Sequence, residues 1–274
     1  MTRPQPLWAC LLGGLGFLSI PAWAHDPIFG LGPHVLYKGG VEIAAEASAG
    51  KAGSAGEQEA MLELTYGLTG DWSAGVDLPW VRKEDGDQAT SGAGDLALFT
   101  KYRFWRKDSL GLQESAALAL KLVTDTADAD GVPPLGKGAT DAILGLAYGY
   151  ESRRQYRWAS VRYRVNGEGA GGLERGDRLL IDFVGGIRPR LTSYLEPDTV
   201  WLLELNGEYA WRSRLGGVGL ADSGGSQWFL SPGIFWTLRN FAVKAGVQFP
   251  VHSALNGDQA RADYRARLTL EWHL

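Results

Sequence analysis

The stretch YRARLTLEWHL, residues 264–274, alternates without a break. Tyr264, Ala266, Leu268, Leu270, Trp272 and Leu274 fall on one side, and Arg265, Arg267, Thr269, Glu271 and His273 on the other. A period of two belongs to a β-strand with one apolar and one polar face. RNFAVKAGVQFPV (239–251) and DWSAGVDLPW (71–80) repeat it. Twelve such segments can be laid out, near 39–48, 58–68, 71–81, 94–105, 112–123, 140–151, 155–166, 178–188, 199–211, 226–237, 240–251 and 263–274. Beyond residue 24 no run of about 18 apolar residues occurs, so a helical membrane span is excluded.

Alternation alone suits a soluble sandwich or a closed barrel. The connections favour the barrel. TGD, RKDSLG, ESRRQ and LRN are short, with RPRLTSYLEPD the longer exception. The intervening set, such as TDTADADGVPPLGKGA and NGEGAGGLERGD, is long and rich in glycine and charge. Short turns at one end and long loops at the other predict a twelve-stranded antiparallel transmembrane outer-membrane β-barrel over 39–274, both termini on the periplasmic side. Aromatics bracket the apolar faces: Trp72 with Trp80, Trp201 with Trp211, Trp228 with Trp236, and Tyr264 with Trp272. Eight residues of tilted strand rise roughly 20 Å, close to the ~25 Å apolar band between the aromatic girdles of such barrels. Pro232 falls on an outward position, where its missing N–H predicts a bulge.

Residues 1–24 read as a secretory signal peptide. Arg3 precedes an apolar run from Leu7 to Ile20, and Ala22-Trp23-Ala24 forms an A-x-A cleavage site, making His25 the first mature residue. Cys10, the only cysteine, lies before the cut. Residues 25–38 form a short periplasmic lead, either a tether or a small plug across the mouth. Expected partners follow: outer-membrane lipid and lipopolysaccharide, the barrel-assembly machinery, and a small-molecule solute. A net charge of -4 without a basic run argues against nucleic acid.

The polar faces predict the lumen. Strands one to three contribute Glu42, Glu46, Glu63 and Asp77; strands four and five contribute Lys101, Arg103 and Lys121. Arg162 and Arg164 follow on strand seven, Asp182 on strand eight, and Glu204 and Glu208 on strand nine. Lys244, Arg265, Arg267 and Glu271 complete the set. These charges either line a water-filled pore or pair across the lumen as a structural network. Inward apolar residues (Met61, Phe99, Leu180, Leu202, Phe229 and Phe235) either offer a patch to an apolar solute or pack against the N-terminal segment.

GDLALFTKYRFW (94–105), LTYGLTGDWSAGVDLPWV (64–81), LGKGATDAILGLAY (135–148) and LSPGIFWTL with FAVKAGVQFPV (230–251) resemble the outer-membrane transporters grouped as the MetA-pathway phenol-degradation family. The resemblance implies a channel for small molecules, aromatic ones included, without catalytic residues. Leu274 stands where barrel-assembly signals usually carry an aromatic.

Other motifs imply less. GVPPLGKG (131–138) lacks the Ser or Thr and the helix of a phosphate-binding loop, and GEGAGG (167–172) has no helix behind it. TDTADADG lacks the bidentate Glu of a calcium loop. His252 and Ser253 are adjacent on a strand, pointing to opposite faces, so they form no nucleophile–base pair; no enzyme and no cofactor is expected. A metal site remains an alternative: the amine and imidazole of His25, with His34 and His273, could chelate copper or zinc. A closed structural barrel is the third reading.

Overall fold

A computed structural model describes residues 26–193 and 195–274. The expected signal peptide, its cleavage site, Cys10 and His25 lie outside these residues.

Twelve antiparallel strands close into one barrel. They are β1 (Val41–Ala52), β2 (Ala55–Thr69), β3 (Trp72–Asp85), β4 in two pieces (Gln88–Ala93 and Ala97–Ser109), β5 (Leu112–Val123) and β6 (Asp141–Ser152). Then follow β7 (Gln155–Val165), β8 (Arg178–Ile187), β9 (Asp198–Ala210), β10 (Gly225–Leu238), β11 (Phe241–Leu255) and β12 (Tyr264–His273). Each strand pairs with its sequence neighbours, and β12 returns to β1 with Glu42 opposite His273 and Ser48 opposite Arg267. Closure leaves the wall itself no unpaired edge, as surrounding lipid requires; the projecting piece Gln88–Ala93 pairs with β3 alone.

The alternating pattern explains the wall. On β2 the burial reads strictly in and out: Glu57, Glu59, Met61, Glu63 and Thr65 are buried, with Gln58, Ala60, Leu62, Leu64 and Tyr66 exposed between them. Apolar residues face outward and charged ones inward, the reverse of a soluble core. Trp72, Trp80, Trp201, Trp211 and Trp272 are exposed on the outer surface. Trp228 and Trp236 are half-covered by neighbours. Trp228 lies over Gly207 of β9, where a Cβ would stand 2.8 Å from its ring. Trp236, Phe241 and Trp272 form one aromatic row at the short-turn end, with centroids 6.2 and 5.0 Å apart. Tyr163, Trp211 and Tyr209 form another at the opposite end, 5.6 and 4.9 Å apart.

Two local expectations are corrected. The stretches AGKAGSAGE and RKEDGDQATSGAG are not loops: β1–β2 and β3–β4 continue as hairpins to tight turns at 53–54 and 86–87. Beyond the bilayer both faces meet water, so these strand ends lose the apolar alternation that marks a strand. The bulge expected at Pro232 lies instead at Trp228/Phe229, where the β10–β11 register shifts. At Pro232 the ladder to β11 skips Ser231 and Pro232 and resumes with Gly233 opposite Gly246, in the register held by Leu230 and Phe249. The missing N–H thus costs a rung without a slip. Two loops, 166–177 and 211–224, meet in a small three-stranded sheet through Leu173–Glu174, Arg214–Leu215 and Val218–Gly219.

Candidate functional site

Inward strand positions and the N-terminal segment together fill the barrel. Residues 26–33 are all buried, and wall side chains meet four of their N–H groups and three of their carbonyls. The N–H groups of Ile28, Phe29 and Gly30 donate to the Glu204 carboxylate at 2.6, 3.1 and 3.0 Å. Leu31 N–H donates to Ser160 Oγ at 3.3 Å. In the other direction Arg267 donates to the Ile28 carbonyl at 2.8 Å, Arg162 to that of Phe29 at 3.3 Å, and Lys101 to that of Gly32 at 3.2 Å. A segment without secondary structure stays buried only on such terms, because each unmet backbone group costs free energy. Asp26 adds an ion pair with Lys101 at 2.5 Å, both side chains fully buried.

Side-chain packing completes the seat. Ile28 and Phe29 join Trp158, Val184, Val200, Leu202, Phe235 and Ala242 in one buried cluster, and Leu31 packs with Phe99, Ala119 and Ala147. Leu202, Phe235 and Phe99, among the inward apolar residues, therefore meet the segment. Four inward glycines leave recesses where it lies. A Cβ on Gly145 would stand 2.7 Å from Leu31 Cδ2, and one on Gly149 2.8 Å from Pro33 Cγ. One on Gly246 would stand 3.0 Å from the Phe29 ring, and Gly233 faces Ile28.

The charged residues expected to line the lumen all sit at inward positions. Glu46, Glu63, Asp77, Lys101, Arg103, Lys121, Arg162, Arg164, Asp182, Glu204, Lys244 and Arg267 are buried, and Glu208 and Arg265 half-buried. Most pair along the wall: Arg162 with Asp182 at 2.6 Å, Lys121 with Asp77 at 2.5 Å, Arg267 with Glu46 at 3.1 Å, and Lys244 with Glu271. Arg164 and Lys137 share Asp141. Arg103 reaches Asp71 in the β2–β3 turn, so it belongs to the rim. Glu208 is shared by Arg178 on the adjoining β8 and Arg265 on β12, the latter at 3.2 Å. β12 lies three strands from β9, so this contact spans a chord of the lumen.

Between the segment and the long-loop end a narrow open cleft remains, lined in part by Phe29, Arg162, Asp182, Glu208, Phe229 and Arg265. The Arg265 guanidinium lies 4.4 Å from the Phe229 ring centroid, and that of Arg267 5.3 Å from the Phe29 ring. Guanidinium and aromatic faces combined with carboxylates suit a small amphipathic molecule.

His34 ion-pairs with Glu151, which also accepts a hydrogen bond from Trp158 Nε1 at 2.8 Å. Burial pushes the His34 pKa down, but the Glu151 carboxylate and its hydrogen bond, with Asp26 further off, raise it above the ordinary 6.5. His273 faces Glu42 instead, at 3.4 Å. The two histidines thus engage different partners. Ser253 Oγ accepts the Gln227 amide at 3.2 Å. Sequence reading passed over Asp26, Ser160, Asn206 and the inward glycines. Parity would have placed all but Asp26, which belongs to no strand. Asn206 links Asp182, Ser231 and Gln248 at 2.9, 2.7 and 2.9 Å.

Solved structures of similar shape are bacterial outer-membrane barrels. The COG4313 outer membrane channel from Pseudomonas putida F1 is 14% identical, with 88% of this chain and 98% of that one covered and a TM-score of 0.69. The β domain of the Bordetella autotransporter BrkA is 12% identical, with 86% and 100% covered and a TM-score of 0.51. At these identities the likeness is one of fold. A search of curated protein sequences gave no match. The family described as "Putative MetA-pathway of phenol degradation" matches residues 24–262. With most of its length so matched, the chain belongs to this phenol-degradation family and carries that membership on a twelve-stranded barrel of the outer-membrane type.

Proposed function

We propose that the chain is a passive outer-membrane channel for a small amphipathic or aromatic solute, held shut at rest by residues 26–33. Export through the signal peptide and insertion by the barrel-assembly machinery into lipopolysaccharide-bearing membrane bring it there. The observation that carries the reading is how the lumen is filled. A permanently closed barrel needs only side chains from its own wall. Here a separate segment fills the space, held by hydrogen bonds to Glu204, Arg267, Arg162 and Lys101 and seated in glycine recesses. Every one of these contacts can break without disturbing a strand. The family name and the arginine–phenylalanine contacts of the cleft support a solute with an aromatic or apolar part.

Planar-bilayer recording tests the reading. Wild type should be mostly silent with brief openings, and deletion of residues 26–33 should give a steady conductance. In that deletion, Arg265→Gln and Arg267→Gln should shift ion selectivity towards cations. Silence from wild type and deletion alike, with no solute uptake, would instead favour a closed structural barrel, which the mutual pairing of inward charges would suit.

A further inference from the structure

The barrel closes where β1 meets β12, and a cluster of donor atoms lies across that seam. Val41 and Leu274 exchange backbone hydrogen bonds of 3.1 and 2.8 Å. The next rung, Glu42 opposite His273, is therefore a non-hydrogen-bonded pair, the kind that brings facing side chains closest. Both side chains point inward, and Glu271 lies two residues along β12 on the same face. One donor atom from each of Glu42, Glu271 and His273 falls within 4.8 Å of the other two.

Three observations give this cluster chemical meaning. Glu42 is 1% exposed, and among the described residues its Oε2 accepts no hydrogen bond. A buried carboxylate is costly unless it is paired or coordinates a cation. Second, Lys244 is ion-paired to Glu271 Oε1, yet Glu271 Oε2 also accepts no hydrogen bond. With the neighbouring Lys101–Asp26 ion pair counted, three carboxylates stand against two ammonium groups. Third, Glu42 Oε2 and His273 Nε2 are 3.4 Å apart. Donors about 2.0–2.1 Å from a tetrahedral zinc ion stand about 3.4 Å from each other, so this pair already has the spacing of two ligands on one metal.

We propose that Glu42, Glu271 and His273 form a divalent transition-metal site, zinc by preference, that staples the first strand to the last. One imidazole and two carboxylates leave a fourth position open, and His273, 20% exposed, gives access from the barrel mouth. Lys244 holds the remaining Glu271 oxygen and fixes the orientation of that ligand, as outer-sphere groups commonly do. The site is distinct from a chelate built on His25 and His34. It also stands apart from the channel reading, since a closed barrel would keep it.

The test uses folded, chelator-stripped protein in detergent, titrated with zinc and, separately, with cobalt. Expected are one zinc per chain at micromolar metal, the visible absorption of tetrahedral cobalt, and a rise in the temperature at which the compact gel band is lost. Glu42→Gln and His273→Asn should each weaken zinc binding at least about tenfold. His25→Ala and His34→Ala should leave it unchanged. Folded wild type that takes up no zinc and shows no cobalt bands would overturn the proposal, even if the seam variants fail to fold. So would binding that survives both seam substitutions, or that disappears in His25→Ala; a plain His273–Glu42 ion pair predicts the first of these outcomes.

Discussion

Glu204 meets its charge with backbone N–H groups: those of Ile28, Phe29 and Gly30 converge on its two oxygens, and Asn206 adds a fourth donor at 3.3 Å. Such a cradle is normally built by the protein around an anion; here the wall supplies the anion and the segment supplies the cradle. Glu204→Ala strands three buried N–H groups, each at about 1–3 kcal/mol. The segment should then leave the lumen, read as faster proteolysis near Ile28 and a more frequent open state, with the barrel still folded. Glu204→Gln keeps two acceptor lone pairs and should give a smaller effect. At the mouth, the His34–Glu151 pair has a definite pH sense. The folded pKa of His34 is raised, so its contribution is complete below the unfolded value of about 6.5 and is lost as pH rises through the folded value. Protection of the segment from protease should be greater at pH 5.5 than at pH 9, and His34→Gln should flatten the difference. Equal slopes in both proteins would remove His34 as the cause.

At the scale of the strand, one-residue parity made most of the molecule legible. Lipid on one side and a polar interior on the other print a period of two onto every crossing segment, so twelve strands and their inward residues could be read directly. Parity assigns a face but not a partner. It put Arg265 and Glu208 inside without revealing that they meet across three strands. It fell silent where both faces meet water, at the projecting ends of β1 to β4, and over residues 26–33, which have no period. The inward glycines were legible in position and illegible in purpose until Leu31, Phe29 and Ile28 were seen against them. That purpose can be tested without touching a hydrogen bond. Gly145→Val and Gly246→Val each place methyl groups where segment side chains lie, an overpacking cost of about 1–3 kcal/mol. Both strands keep their ladders, so the compact gel band should persist while conductance rises towards that of the deletion. A fully silent double variant would show that the segment does not govern opening.

As a whole molecule the chain is inverted: its greasy surface faces out, and its interior is a mesh of ion pairs threaded by its own N-terminal segment. Soluble-protein intuition about charge burial therefore applies to the lumen, and intuition about cores applies only to the small clusters around Ile28 and Leu31. The segment is joined to β1 by the few residues between Pro33 and Val41, which gives its covalent attachment a quantitative consequence. A tether this short presents a ligand to its receptor at an effective concentration in the millimolar range, however many copies the membrane holds. Closure is then unimolecular. Doubling expression leaves the open fraction unchanged, and a free peptide of the same sequence competes poorly unless it too approaches millimolar. A resting state open one time in a hundred needs only about 2.7 kcal/mol in favour of the seated form. That is within reach of a single lost hydrogen-bonded carboxylate, so a solute that binds the open form about a hundredfold more tightly than the seated one would be enough to open its own way through.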